Sequence, residues 1–241
     1  LTAWVIYSAV LFTWGHDFIP MRSLEKGFQY NEYAHSLGFE DGDIPVAADG
    51  KPIVEYAAAN IRTLSNAAVV TVLRQAQEVD ITMPEEGLNM LEVLEMQPAF
   101  MVPYMPAVVD SVQPGSPAMQ AGIVRGSRIL AVNGVEITTW GDYDSRVVLR
   151  RQDVLESPDC PAADSLRMRQ AEVVFLTPDG VCDTTAFELD TNYLMGVTRQ
   201  QPQYELAHQS YSFFASIPAG LQYGWRVLSG YVNDLKYIPS K

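Results

Sequence analysis

A chain of 241 residues has room for two domains of ordinary size, each with its own core. Its formal net charge of −13, from 29 acidic and 16 basic residues, repels phosphate backbones and anionic lipid heads. That balance argues against nucleic acid as a partner and for a domain held off a membrane surface.

The chain opens on LTAWVIYSAVLFTW, an uncharged run of 14 residues ending at Trp14. A bilayer needs about 20 apolar residues to be crossed. The run therefore reads as the exit half of a transmembrane helix, residues 1–19, with Trp14 at the interface. A signal-peptide core and a buried core helix are the alternatives, although no basic start or small-residue cleavage site is visible.

The next feature is an internal repeat. GFEDGDIPVAADGKPI, residues 38–53, returns as GIVRGSRILAVNGVEI, residues 122–137, at an offset of 84 (122 − 38). The offset holds through Ala34/Ala118, Gly38/Gly122, Gly42/Gly126, Ala47/Ala131, Asp49/Asn133, Gly50/Gly134 and Ile53/Ile137. In each copy an alanine-rich turn ends on a glycine suited to a helix C-cap, Gly38 or Gly122. Gly42 or Gly126 then turns the chain into a short apolar strand. Asp49-Gly50 and Asn133-Gly134 follow as two-residue hairpin turns, which need positive φ at both positions. Pro45 interrupts the first copy's strand, so that strand is expected at an edge or at a bulge.

Beyond the shared core, residues 73–86 match residues 168–189. Pairing Arg74 with Arg169 gives an offset of 95, so the second copy carries 11 extra residues (95 − 84), most of them assigned to the loop 156–164. Pro178-Asp179-Gly180 reads as a hairpin. Each copy ends on a strand-like piece, Leu94-Glu95-Met96 in the first and Leu194-Met195-Gly196-Val197 in the second. Near the C-terminus, Phe213, Phe214, Ile217, Leu221, Trp225, Leu228, Val232 and Leu235 recur at helical spacing, with Ser216 as a cap, Pro218 near the first turn and Pro239 closing the run. Such a helix suits a membrane surface or packing on a neighbour.

No catalytic constellation is visible. His16, His35 and His208 stand outside any H-E-x-x-H frame, and there is no G-x-S-x-G elbow, phosphate loop or C-x-x-C. Ser116 reads as a helix cap, and the pairs Glu85/Glu86 and Asp41/Asp43 as solvated acids. Cys160 and Cys182 are either a pair under oxidising conditions or two free thiols. No catalytic or metal-ligating residue is assigned.

SVQPGSPAMQAGIVRGSRILAVNGVEI, residues 111–137, resembles the core of a bacterial PDZ domain, and residues 29–53 resemble a degenerate copy. The resemblance implies a mainly β fold with short helices: two circularly permuted, partly open PDZ-like β-barrels in tandem, residues 20–102 and 103–201. An amphipathic juxtamembrane helix would occupy 202–241. PDZ domains add an extended chain to a sheet edge and catch a terminal carboxylate on a glycine-containing loop. Here that loop comes last, an order that resembles the PDZ domains of site-two proteases, the family of the regulator of sigma-E protease. The peptide-binding residues implied are Leu194, Met195, Gly196 and Val197, facing a helix around residues 139–149 with Tyr143 and Val147. Glu95 in place of a glycine puts carboxylate capture by the first copy in doubt.

The same resemblance implies the periplasmic part of an inner-membrane zinc metalloprotease that carries out regulated intramembrane proteolysis. The chain would touch the membrane through both ends, filter membrane-spanning substrates of the anti-sigma-factor type by size and bind a substrate's new C-terminus. Zinc would belong to the full-length family member, with no cofactor in this chain. A PDZ scaffold, or the PDZ pair of a trypsin-like periplasmic protease, is the alternative.

Overall fold

The computed structural model describes residues 2–57, 60–85, 87–157 and 166–235. It is mainly β with short helices. The strands of the first half are β1 (His16–Phe18), β2 (Phe28–Tyr30), β3 (Ile44–Ala48), β4 (Lys51–Pro52), β5 (Val69–Arg74), β6 (Gln77–Thr82) and β7 (Met101–Pro103). Those of the second are β8 (Val109–Val112), β9 (Arg128–Val132), β10 (Val135–Glu136), β11 (Gln170–Leu176), β12 (Cys182–Glu188), β13 (Val197–Arg199) and β14 (Ala207–Gln209).

The repeat governs the pairing. In the first copy the four-stranded sheet runs β4-β3-β5-β6 and β2 pairs with β7; in the second it runs β10-β9-β11-β12 and β8 pairs with β13. These sheets are separate, and among the described residues none closes into a barrel. The hairpin turns match in detail. Asp49 and Gly50 have φ of 48° and 70°, Asn133 and Gly134 of 50° and 77°. Each turn's side chain also starts the next strand: Asp49 Oδ1 accepts from Val69 N at 3.0 Å, and Asn133 Oδ1 from Glu172 N at 2.8 Å. Gly38, Gly42, Gly122 and Gly126 all lie in the left-handed region, which a side chain rarely enters.

β3 lies between β4 and β5, but β4 pairs only with Ala47 and Ala48, so at Pro45 the ladder has a partner on the β5 side alone. The β3–β5 register shifts between Pro45 and Ala47, skipping Val46. The β9–β11 register shifts at the equivalent place, skipping Leu130, and Ile53 N and Ile137 N donate to the Val46 and Leu130 carbonyls at 2.8 Å each. The bulge expected at Pro45 is present and belongs to the repeated architecture, while Ile129 at the equivalent position donates its N–H to the Ala107 carbonyl at 2.8 Å, a bond the proline cannot make.

The chain divides into two compact units that are discontinuous in sequence. One comprises Leu1–Glu25, Asp43–Glu95 and Tyr204–Lys241; the other comprises Lys26–Gly42 and Met96–Gln203. These differ from continuous domains at 20–102 and 103–201, since β2 pairs with β7 and both join the second unit.

The first unit buries Leu64, Val70, Val72 and Met83. Asp43 is not a solvated acid. It is 1% exposed and takes Arg74 Nε at 2.8 Å and Nη2 at 2.7 Å. A helix Thr2–Trp14 packs on a long helix Phe213–Leu235, with Tyr7 and Tyr223 rings 5.0 Å apart and Phe12 edge-on to Phe213 at 5.6 Å. The approach is close: a Cβ at Gly220 would strike Ser8, and one at Gly224 would strike Trp4. Phe214, Ile217, Leu221, Trp225, Leu228 and Val232 face outward, so the apolar stripe is no part of a core. The cap is Ser212, whose Oγ accepts from Ala215 N at 3.4 Å; Ser216 lies inside the helix and donates to the Phe213 carbonyl. Pro218 also lies inside the helix, and Pro239 lies outside the described residues. Among the described residues no helix is long and apolar enough to cross a membrane.

Leu94-Glu95-Met96 is not a strand. Met90–Glu95 is helical, and the strand that closes the first copy is β7. Cys182 is a free, exposed thiol, while Cys160 and most of the loop 156–164 lie outside the described residues.

Replacing Asp43 by Ala removes the buried carboxylate that holds Arg74 Nε and Nη2. The expected loss of stability is about 3–5 kcal/mol, read as a lowered midpoint in chemical denaturation.

Candidate peptide-binding edge

In the second unit β13 is paired on one side only. Val197 faces Val112, Thr198 faces Ser111 and Arg199 faces Val109, with a bulge at Thr198/Arg199. Gln113 N donates to the Gly196 carbonyl at 2.9 Å and Gln200 N to the Val108 carbonyl at 3.0 Å, fixing both ends of the pair. Among the described residues the other edge of β13 carries no strand, so that edge can take one.

A tight loop leads into this strand. Asp190 Oδ1 accepts from Asn192 N and Leu194 N, both at 2.8 Å, and the Met195 carbonyl accepts from Ala118 N at 3.0 Å. Met195 is buried in the core, whereas Leu194 is 57% exposed. Among the described residues the N–H groups of Met195 and Gly196 meet no acceptor. Gly196 has φ of +81°, and a Cβ there would collide with Ser116. Ser116 is itself fixed as a helix cap, its Oγ accepting from Met119 N at 3.3 Å.

A helix over residues 140–155 runs beside this strand in the opposite sense. It begins as Trp140–Asp142, widens into a π-helical stretch Tyr143–Val148 and finishes as Leu149–Leu155. A capping box starts it: Thr139 Oγ1 accepts from Asp142 N at 3.0 Å, and Asp142 Oδ2 accepts from Thr139 N at 3.0 Å. Gln29 of β2 bonds both members, taking Thr139 Oγ1 at 2.5 Å and giving Nε2 to Asp142 Oδ1 at 3.3 Å. Trp140 Nε1 donates to the Val108 carbonyl at 3.1 Å. Four-residue steps overshoot an α turn and fall short of a π turn, so the mixture keeps Tyr143, Val147 and Arg151 close to one line.

Two arginines tie helix to strand. Arg199 reaches Asp144 with both nitrogens, at 2.6 and 2.5 Å, and lies 5.1 Å over the Trp140 ring. Arg151 Nη1 donates to the Tyr193 carbonyl at 2.9 Å, and its guanidinium lies 6.0 Å from the Tyr193 ring centre. Burial pushes the Tyr143 phenol above its ordinary value, while Arg151 and Arg199 pull the other way.

Leu194, Met195, Gly196 and Val197 thus form the loop and strand, but Tyr143 and Val147 are buried in the core with Ile129 and Trp140 rather than lining an open channel. The sequence reading missed Arg151, Asp144 and Arg199. A cation eight residues after Tyr143, on a line otherwise apolar, was the available signal.

The first copy builds the same loop differently. Asn31 N donates to the Phe100 carbonyl at 3.2 Å, as Gln113 N does to Gly196, so Phe100 rather than Glu95 stands at the glycine position. Asn31 Nδ2 bonds the Pro98 carbonyl at 2.9 Å, and Phe100 packs on Tyr30 and Phe39. The Phe100 ring is buried.

Among the described residues no group of three or more His, Cys, Asp or Glu is placed to hold a metal ion. A cavity of about 1150 Å³ in the first unit includes Glu55, but both its oxygens are engaged, by His16 and Arg226 at 2.8 Å each.

Replacing Gly196 by Ala forces a side chain into the left-handed region and against Ser116. A loss of about 1–3 kcal/mol is expected from the backbone strain, with backbone amide shifts moving at residues 113–119 as well as at 194–198.

The family model of the PDZ domain matches residues 108–147, a stretch that spans β8, β9, β10 and the helix as far as Val147. No curated protein matches the chain. A PDZ domain, a protein-interaction module, is therefore present in this chain.

Proposed function

We propose that the second copy binds an extended polypeptide by strand addition at the free edge of β13, between that strand and the helix 140–155. The observation that carries this reading is the one-sided pairing of β13, together with a glycine loop whose N–H groups lack acceptors. Backbone hydrogen bonds would supply affinity, and the exposed Leu194 would contact the ligand's last side chains. The first copy, with Phe100 in its loop, has a steric part only.

The wider proposal is that this tandem, permuted pair is the periplasmic region of a site-two-protease-type zinc metalloprotease of the inner membrane. It would act as a size filter and hold the new C-terminus of a membrane-spanning substrate. The duplicated pairing order, the late position of β13 and the outward apolar stripe on the helix Phe213–Leu235 support it. That stripe and the outward Val5, Ile6 and Phe12 of the N-terminal helix would meet lipid.

Strand addition predicts that a peptide N-methylated at alternate residues loses affinity about tenfold or more when the methyls face β13, and little in the other phase. Equal affinity in both phases contradicts it. The membrane part is tested by co-sedimentation with zwitterionic vesicles: the whole chain is expected in the pellet, and a Phe214→Glu, Leu221→Glu, Trp225→Glu variant in the supernatant. Coding sequence with a H-E-x-x-H helix upstream would support the protease context, and flanks encoding a trypsin-like domain would replace it.

A further inference from the structure

We infer that Gln29 is a positioning residue for the second copy's peptide groove: the strand pair β2–β7 of the first copy, through this one side chain, holds the helix 140–155 at the distance from β13 that an added strand needs. The inference rests on the strand-addition reading above and gives the first copy a part in it that touches no ligand.

Gln29 and Val102 are cross-strand partners, so their side chains leave the β2–β7 pair on one face, away from the buried Phe28 and Tyr30. That face lies on the first turn of the helix. A Cβ at Gly141 would come 2.3 Å from Gln29 Oε1 and 3.4 Å from Val102 Cγ2, so glycine at 141 allows this approach with the Gln29 amide where it stands. The amide then matches the capping box group for group. Thr139 Oγ1 already accepts from Asp142 N and donates its one hydrogen to Gln29 Oε1 at 2.5 Å. Asp142 Oδ1 accepts from Gln29 Nε2 at 3.3 Å, while Oδ2 accepts from Thr138 N and Thr139 N at 2.9 and 3.0 Å. A carboxamide brings an acceptor and a donor on adjacent atoms, the set these two groups require. Thr139 is fully buried and Asp142 nearly so, which makes water a poor substitute.

The helix needs holding at this end. Its opening turn, Trp140–Asp142, is three residues long before the π-helical stretch begins, and the Arg199–Asp144 pair just beyond is half exposed and weak. Trp140 is anchored separately, its N and Nε1 donating to the Met105 and Val108 carbonyls at 2.9 and 3.1 Å, so Gln29 governs the capping-box side of the turn. Trp140 and Asp144, which meet Arg199 of β13, lie within two residues of that box. Loss of the Gln29 bonds loosens the turn, and a groove competent for a fraction f of the time binds more weakly by 1/f, about three- to tenfold for f of about 0.1–0.3. Conversely, a strand entering beside β13 bears on Trp140 and Asp144 and is felt at Gln29, in the other copy.

The test uses the full chain, a fluorescein-labelled pool of ten-residue peptides randomised over the last four positions, and Gln29→Met, which keeps the length of the side chain and removes both bonds. Two results are expected together: the Gln29 side-chain amide resonance of the parent shifts on saturation with the pool, and Gln29→Met, with unchanged circular dichroism, binds the pool about three- to tenfold more weakly. Binding by Gln29→Met at the parent's affinity overturns the inference and leaves strand addition standing. So does weaker binding combined with a parent Gln29 resonance that stays still, which is what a purely structural role gives. No binding of the pool by the parent removes both readings. Should Gln29→Met not fold, Gln29→Glu replaces it, since this change keeps an acceptor for Thr139 but sets like charge against Asp142, and it is held to the same pair of results.

Discussion

β13 has two edges and spends only one of them. Its pairing with β8 fixes the strand at both ends, from the Gly196 carbonyl to Gln200 N, and everything argued about binding follows from what is left on the other side. An unpaired strand edge in solution invites pairing with another chain, so a protein that keeps one must control what reaches it. Here the helix 140–155 stands along that edge, held by Arg199–Asp144 at one end and Arg151–Tyr193 at the other. The first of these is half exposed, so it contributes well under about 1 kcal/mol and can open for a ligand.

The comparison of the two copies isolates what the edge requires. Both have the same hairpin, the same bulge and the same order of strands, so the scaffold does not distinguish them. The loop does. In the second copy a glycine at φ of +81° brings the backbone against Ser116; in the first the equivalent residue is Phe100, whose ring packs on Tyr30 and Phe39 while Asn31 bonds the Pro98 carbonyl. Duplication preserved the frame, while the residue at the loop's last position differs, a glycine in one copy and a buried phenylalanine in the other.

Much of this was legible in the residues, for local reasons. Asn133-Gly134 and Asp49-Gly50 announce their turns because few other pairs reach positive φ cheaply, and the fixed offset of 84 carries the rest of the core. The closing strand of the first copy was misread because Leu94-Glu95-Met96 has the alternation of a short strand but lies at the end of a helix, and three-residue strands are set by tertiary pairing rather than by propensity. Ser216 has the chemistry of a cap, but the helix starts a turn earlier, at Ser212, a serine equally able to cap. Tyr143 and Val147 were placed on the right helix, but their burial depends on a π-helical stretch no local pattern signals. Arg151 stayed hidden because a basic residue on a short helix ordinarily reads as surface, and only packing shows that it is enclosed.

Hydrogen exchange on the whole chain saturated with a free-acid peptide measures the central claim most directly. The account expects new protection at β13 and its loop, residues 194–199, and none along the outer edge of β12, which is equally unpaired in the four-stranded sheet. Protection at β12, or on the apolar helix Phe213–Leu235 with residues 194–199 unchanged, would place the ligand elsewhere and contradict the account.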